Sequence, residues 1–361
     1  MQSTMRPGRL HLFVNHDSEG EKMGEDFLGI IGETIDRLLT LDIAGRGVIG
    51  KLYEAARALH KSPLCLLAAK KLVEVVKPND IVFIATGMII YPFQRLGIGE
   101  NDGPVGGAGL ARALRIALGA KTVFVTDKVL VDMISKTVNG GECAIVPPEA
   151  LPEIDLPLSS VIDFPTVEEE AEKRARQLVR HFKPKAIVAI ERRGVSKNGI
   201  YHAWNGLDMA PYEARIGRLF EESRKEGILT IGIGDGGNEI GMGNIYDTVR
   251  KVVPYGDLCK CPTQCGIADS TLVDVAVVTT VSNWGAYGIE ACLAAITGKS
   301  EALHAEEEEL RIIRGCIDAG GLDGPAKVPR PSVDAIPAKI DVAILDFLGE
   351  IIRGRFREIK Y

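Results

Sequence analysis

Nothing in this chain of 361 residues concentrates positive charge, and no apolar stretch is long enough to cross a bilayer. The 43 Lys and Arg are outnumbered by 49 Asp and Glu, a net charge of −6 with no basic block, which argues against nucleic acid as the main partner. The most apolar run, Ile81 to Phe93, is broken by Thr86, Gly87 and Pro92 and is too short for a span. No apolar secretory segment follows Met1. The 7 cysteines are an odd number in a long chain, unlike a secreted disulfide framework. Cys259, Cys261 and Cys265 are closely spaced but lack a paired C-x-x-C and a neighbouring His, so buried thiols are expected rather than a zinc or iron–sulfur site. H-E-x-x-H, G-x-S-x-G and G-x-x-x-x-G-K-S/T are also missing, which removes the zincin, serine hydrolase and P-loop readings. The expectation is a soluble cytoplasmic protein without nucleic-acid or membrane partners, with homo-oligomerisation left open.

What the chain has is buried strands and glycine. The runs Ile81 to Thr86, Thr122 to Thr126, Ala186 to Ile190, Ile228 to Ile233 and Val273 to Val281 are apolar without clean alternation, as strands covered on both faces are. Helical patterns separate them, built for example on Leu110, Ala111, Leu114, Ala117 and Leu118. Thr166 with Glu169 spells a capping box before an apolar face of Ala171, Ala175, Leu178, Val179 and Phe182. Strand–helix alternation predicts an α/β protein with a mostly parallel β-sheet covered by helices and its site at the strands' C-terminal ends. The stretch from Pro147 to Pro165 holds five prolines. It suggests two intimate lobes: 1–150 with a Gly-rich anion loop, and 151–361 with the GDGGNE motif and a C-terminal helix on Ile340, Ile344, Phe347, Leu348 and Ile351.

The densest signal is TIGIGDGGNEIGMG, Thr230 to Gly243, with six glycines in the twelve residues from Gly232. Gly232, Gly234 and Gly237 satisfy G-x-G-x-x-G, and Asp257 follows at about the 20-residue distance of a dinucleotide fold. Glycines continue at 241 and 243, however, where a receiving helix should be, so a backbone pressed close against something is the better reading. Asp235, Asn238 and Glu239 sit among them, and oxygen donors at a strand end suit Mg²⁺ or Mn²⁺. A second cluster, ENDGPVGGAG from Glu100, opens a helix. Its amides at Gly103, Gly106 and Gly107 can take an anion, with Asp102 beside them as ligand or base. Asp127, Glu191, Arg192 and Asn283 follow other strands, and Asn205 lies in a polar segment beyond Arg193.

Taken together, ENDGPVGGAGLARAL, VTD, AIERRG, NGLDM, TIGIGDGGNEIGMGN and CGIADSTLVDVAVVTTVSNWGAYG resemble the D-glutamate cyclase C-terminal-like family. The resemblance runs in order from about Asp42 to about Gly298, and the Gly-Asp-Gly-Gly-Asn-Glu string is its specific part. One departure is Arg193 in ERRG, where Pro is common. The resemblance implies cyclisation of D-glutamate to 5-oxo-D-proline with loss of water, in a stand-alone version of the domain. The chemistry then assigns Asp102, Asp235 and Glu239 to the metal, Glu191, Asp127 and Asn238 to catalysis, and Arg46, Arg192, Gly103, Gly106, Gly107, Asn205 and Asn283 to a small anionic substrate. The same set suits an Mn²⁺- or Mg²⁺-dependent phosphatase acting on a phosphomonoester. A non-enzymatic nucleotide-binding regulator using the G-x-G-x-x-G match is the third reading.

Overall fold

The computed structural model describes residues 18–90 and 98–354. Its element order is α1 (Ser18–Leu39), α2 (Ile49–Ala58), α3 (Leu64–Val75), β1 (Ile81–Thr86), β2 (Ile89–Ile90), β3 (Ile98–Gly99), α4 (Pro104–Leu118), β4 (Lys121–Asp127) and α5 (Val131–Gly140). There follow β5 (Ser159–Phe164), α6 (Glu168–Phe182), β6 (Ala186–Ile190), α7 (Gly217–Lys225), β7 (Leu229–Gly234), α8 (Tyr246–Val252), β8 (Val275–Val278), α9 (Ser282–Thr297), α10 (Glu306–Asp318), β9 (Ser332–Val333), β10 (Ile336–Pro337) and α11 (Ala338–Arg353).

Six strands form one parallel sheet in the order β5-β4-β1-β6-β7-β8. Every residue of β1, β4, β6, β7 and β8 is buried, which explains why none of the runs alternates in hydropathy. Alternate residues serve opposite faces. Val82, Ile84, Val188 and Ile231 pack with α1 to α5 and α9 to α11, whereas Ile81, Phe83, Ala85 and Ala189 pack with α6 and α7. The order reverses between β1 and β6, which opens a crevice beyond their carboxyl ends, where doubly wound sheets bind ligands.

The two stretches divided at residue 150 share this sheet: β1 of the first pairs with β6 of the second, Ile84 opposite Val188. The two apolar cores therefore lie on the two faces of the sheet, not in the two halves of the chain. Five of the six strands match the apolar runs; β5 lies inside the proline-rich stretch read as a boundary. The capping box at Thr166 does not form, because α6 begins at Glu168 behind Val167, with no side-chain cap. Its apolar face is buried as expected. On α11, Ile344 and Leu348 are buried, but Phe347 points outward.

His304 joins α9 to α10 from full burial. Its Nδ1 lies 2.6 Å from Glu290 and its Nε2 3.0 Å from Glu309, which also accepts the Tyr287 hydroxyl at 2.7 Å. Burial alone would depress the imidazole, but the two carboxylates lift it to about 10. The native state therefore holds a proton that the unfolded chain releases near 6.5. That contribution is complete below pH 6.5 and disappears as pH rises through about 10, with a limiting slope of about 1.4 kcal/mol per pH unit. Urea denaturation across this window should show the loss, and His304→Gln should flatten it while costing about 3–5 kcal/mol at neutral pH.

Candidate active site

Two helices aim their N-termini at the same point beyond the sheet, and each is capped by a side chain from the other's entry. The Asp102 carboxylate, just ahead of α4, accepts from the backbone N–H of Ser282 at 3.1 Å and of Asn283 at 2.8 Å, the opening residues of α9. The Asn283 side-chain oxygen accepts from Gly103 N–H at 2.8 Å and Gly106 N–H at 2.7 Å, the opening of α4. These amides are orphans of a helix's first turn, and both helix dipoles place partial positive charge here. Gly106 is required by the approach: a Cβ there would lie 2.8 Å from Asn283 Cα. The amides of Gly103 and Gly106 therefore bind Asn283 in place of an external anion. Gly107 faces the core, where a Cβ would meet Phe124 at 3.2 Å.

Five further carboxylates surround this point. Glu191 follows β6 with a backbone φ of +43°, a conformation that side chains rarely adopt, and it accepts the Ser282 hydroxyl at 2.5 Å. Glu239 folds back onto its own loop, accepting Gly236 N–H at 2.9 Å and Gly237 N–H at 2.7 Å. Gly234 leaves room for it: a Cβ there would lie 2.7 Å from its carboxylate. Asp235 receives a forked contact from Arg46, at 2.7 and 3.2 Å, and the same guanidinium reaches Thr280 O. The Arg46 loop is itself tied down by Asp42, which accepts Arg46 N–H at 2.9 Å, and by Thr280, whose hydroxyl donates to Leu41 O at 2.8 Å. Asp334, from the turn between β9 and β10, lies 3.8 Å from Arg46. Glu100 is buried close by.

Ligand oxygens of Asp102, Asp235 and Asp334 lie within 4.8 Å of one another, as do those of Glu191, Asp235 and Glu239. Asp235 belongs to both triads. The cost of this crowding appears in proton affinity. Burial, and then the neighbouring charges, push Asp102, Glu191 and Asp334 well above the ordinary carboxylate range. Burial lifts Glu100 and Glu239 to about 7, against the pull of Arg193 on the first and of backbone N–H groups on the second. The donor set fits a hard divalent cation: it is all oxygen, largely desolvated and short of positive charge. An ion there would share Asp235 with Arg46.

Other predicted residues are engaged elsewhere. Arg192 is fully buried against Asp127 and lies 2.9 Å from Glu213, while Ala214 N–H donates to Asp127 at 2.6 Å. Arg193 pairs with the other Glu213 oxygen. Asp127 and Arg192 are thus matched to each other and do not face the acid cluster as free base and free cation. Asn238 donates to His202 O at 3.0 Å, and Asn205 accepts from Leu207 N–H at 3.3 Å in a turn. Asp257 pairs with Arg250 in solvent, and the glycines of the 232–237 run pack against Ile240, Glu239 and Val249. The glycines thus serve close packing within the protein. Glu100 and Asp334 were missed, the first because only the glycines after it drew notice, the second because a two-residue turn far along the chain carries no motif. An open cleft of about 520 Å³ at the ends of β4 and β5, lined by Asp127, Lys128, Asp163, Arg174 and Tyr212, is separate from the acid cluster.

The acid cluster lies at the switch point of a doubly wound sheet, where such folds bind small molecules. The sequence profile of the family described as D-glutamate cyclase-like, C-terminal, matches residues 35–348, and the chain belongs to that family. It is also 36% identical over 108 residues to human D-glutamate cyclase, mitochondrial. That match covers 30% of this chain and 16% of the human protein. No helix among the described residues is long and apolar enough to cross a membrane.

Two substitutions separate capping from charge crowding. Asn283→Ala should cost about 2–4 kcal/mol in chemical denaturation, because the buried Gly106 N–H loses its acceptor and Gly103 N–H keeps only Asp102, at 3.0 Å. Glu191→Gln should instead raise the melting temperature in chelator by a few degrees, about 1–2 kcal/mol, since it removes a carboxyl whose ionised form is disfavoured first by burial and then by Asp235, Glu239 and Asp102.

Proposed function

We propose that this chain is a divalent-cation-dependent enzyme of small-molecule carboxylate chemistry that closes D-glutamate to 5-oxo-D-proline with loss of water. One observation carries the reading: carboxyl groups poised near neutrality converge at the N-termini of two helices. Cyclisation needs such groups. The substrate ammonium must lose a proton before its nitrogen attacks the γ-carboxyl carbon. The tetrahedral adduct then expels one γ-oxygen, which leaves as water after accepting protons. A carboxylate and a carboxylic acid held together at pH 7 can take the first proton and give the second. Glu191, hydrogen-bonded to Ser282, is the proposed base, and Glu239 the proposed acid. Asp102, Asp235 and Asp334, whose ligand oxygens lie within 4.8 Å of one another, would hold Mg²⁺ or Mn²⁺, which leaves Glu239 free to carry a proton. Such an ion, when bound, lowers the charge of the cluster and polarises a carboxyl oxygen. Arg46, part-exposed beside Asp235, is the proposed partner of the α-carboxylate.

The sharing of Asp235 between two triads favours a second reading, two-ion hydrolysis of a phosphomonoester. It loses support at Gly103 and Gly106, whose amides already hold Asn283.

Incubation of the protein with D-glutamate, L-glutamate or a generic phosphomonoester, each with Mg²⁺ or Mn²⁺, decides between them. Chiral chromatography should show D-glutamate consumed and 5-oxo-D-proline formed in equal amount; release of phosphate alone would overturn the cyclase reading. Glu191→Gln should lower kcat at least about 100-fold with little change in KM. Millimolar Mn²⁺ should raise the melting temperature of the native protein, and Asp235→Asn should abolish that rise.

A further inference from the structure

Away from the acid cluster, the fold closes a four-residue cage that the spacing of the cysteines did not suggest. Cys259, Cys261 and Cys265 lie on one loop, and His202 enters from the excursion after β6. One ligand atom from each lies within 4.8 Å of the other three. The Cys261 and Cys265 sulfurs are 4.0 Å apart, and Cys265 Sγ is 3.8 Å from His202 Nε2. A tetrahedral ion with sulfur ligands at about 2.3 Å sets its ligands about 3.8 Å apart. Cys259 and Cys261 are nearer, at 2.7 Å, and would part by about 1 Å around such an ion.

Two further features distinguish the cage from thiols merely buried together. Backbone N–H groups point at the sulfurs: those of Cys261 and Gly266 at Cys259, and that of Cys265 at Cys261. Amides so aimed stabilise thiolates rather than thiols. The His202 ring, 1% exposed, meets sulfur at Nε2, and its Nδ1 has no hydrogen-bond partner among the described residues. Bound through Nε2, the ring would carry its proton on Nδ1.

We propose that His202, Cys259, Cys261 and Cys265 bind one structural zinc ion. Four protein ligands close the coordination sphere, so the ion has no open position for substrate. Its place in the fold gives it a task. The carbonyl of His202 accepts from Asn238, and Asp269, four residues beyond Cys265, donates its N–H to Gly237 O at 3.1 Å. The carboxylate of Asp269 then holds Gly241 and Gly243 at 3.1 and 3.3 Å. The zinc would lock together the two segments that grip the loop carrying Asp235 and Glu239.

The test uses the untagged full chain purified in zinc-containing medium. Elemental analysis should give about one zinc per chain, falling several-fold in Cys261→Ser and His202→Ala. Exchange of the wild-type protein into cobalt(II) should produce the absorption of thiolate-to-cobalt charge transfer and of a tetrahedral ion. That readout needs no variant to fold, and Asp235→Asn should leave it intact, which separates this ion from any bound by the acid cluster. Native protein without zinc and without the cobalt–thiolate band would overturn the proposal. So would an intact mass two hydrogens short, marking a Cys259–Cys261 disulfide.

Discussion

Burying several carboxylates in one place is the demand that the rest of this structure answers. Each unpaired carboxylate costs several kcal/mol to desolvate, and each neighbour of the same sign raises the cost. The fold meets part of it with amide groups. Two helix N-termini are brought face to face, Asp102 takes the free N–H groups of α9, and Glu239 takes those of its own glycine loop. Asn283 performs the reciprocal service for α4 without adding charge. The close approach explains the small residues: Gly106 admits Asn283, and Gly285 and Gly288 let α9 press on the sheet and on α1 and α3. Glycine density here measures how near one backbone lies to another.

The charged residues at the strand ends fall into two kinds. Asp127, Arg192, Arg193 and Glu213 form a buried set in which each carboxylate meets a guanidinium. Such a set fixes geometry, and removing one member would strand the others. Among the described residues, the group around Asp235 has Arg46 as its one directly paired cation, against six carboxylates on four segments. An imbalance held in place by rigid elements is what distinguishes a reaction site from a structural network. A list of polar residues following strands cannot make that distinction, because it depends on which side chain meets which.

Strands covered on both faces leave a local record, and five were legible from apolar runs alone. β5 was not, because SSVIDF is short and flanked by prolines that spell a linker equally well. Strand order leaves no local record either: the placement of β1 between β4 and β6 follows from crossovers over dozens of residues. The acid cluster was half legible. Asp102, Asp235 and Glu239 are marked by glycines that must be there for backbone to pass. Asp334 is brought in by a hairpin held through Asp323, which accepts from Ala335 N–H at 3.0 Å, and nothing near it in sequence announces a site. His202 is hidden in the same way, being distant in the chain from the cysteines it meets.

Charge balance also bears on which substrate the site can accept. Without cations, a phosphomonoester would bring up to two further negative charges into a cluster already pushing its carboxyl groups toward neutrality. D-Glutamate brings one ammonium with its two carboxylates. In the proposed reaction that ammonium would meet the carboxylates as a partner, and Arg46 would meet a substrate carboxylate. With a net charge of −1, D-glutamate enlarges the imbalance less than the dianion would. Bound Mg²⁺ or Mn²⁺ reduces the penalty for either molecule, but it removes the obstacle to the phosphate reading without supplying the missing amide cradle. The electrostatics and the filled helix N-termini therefore favour the same substrate class, for independent reasons.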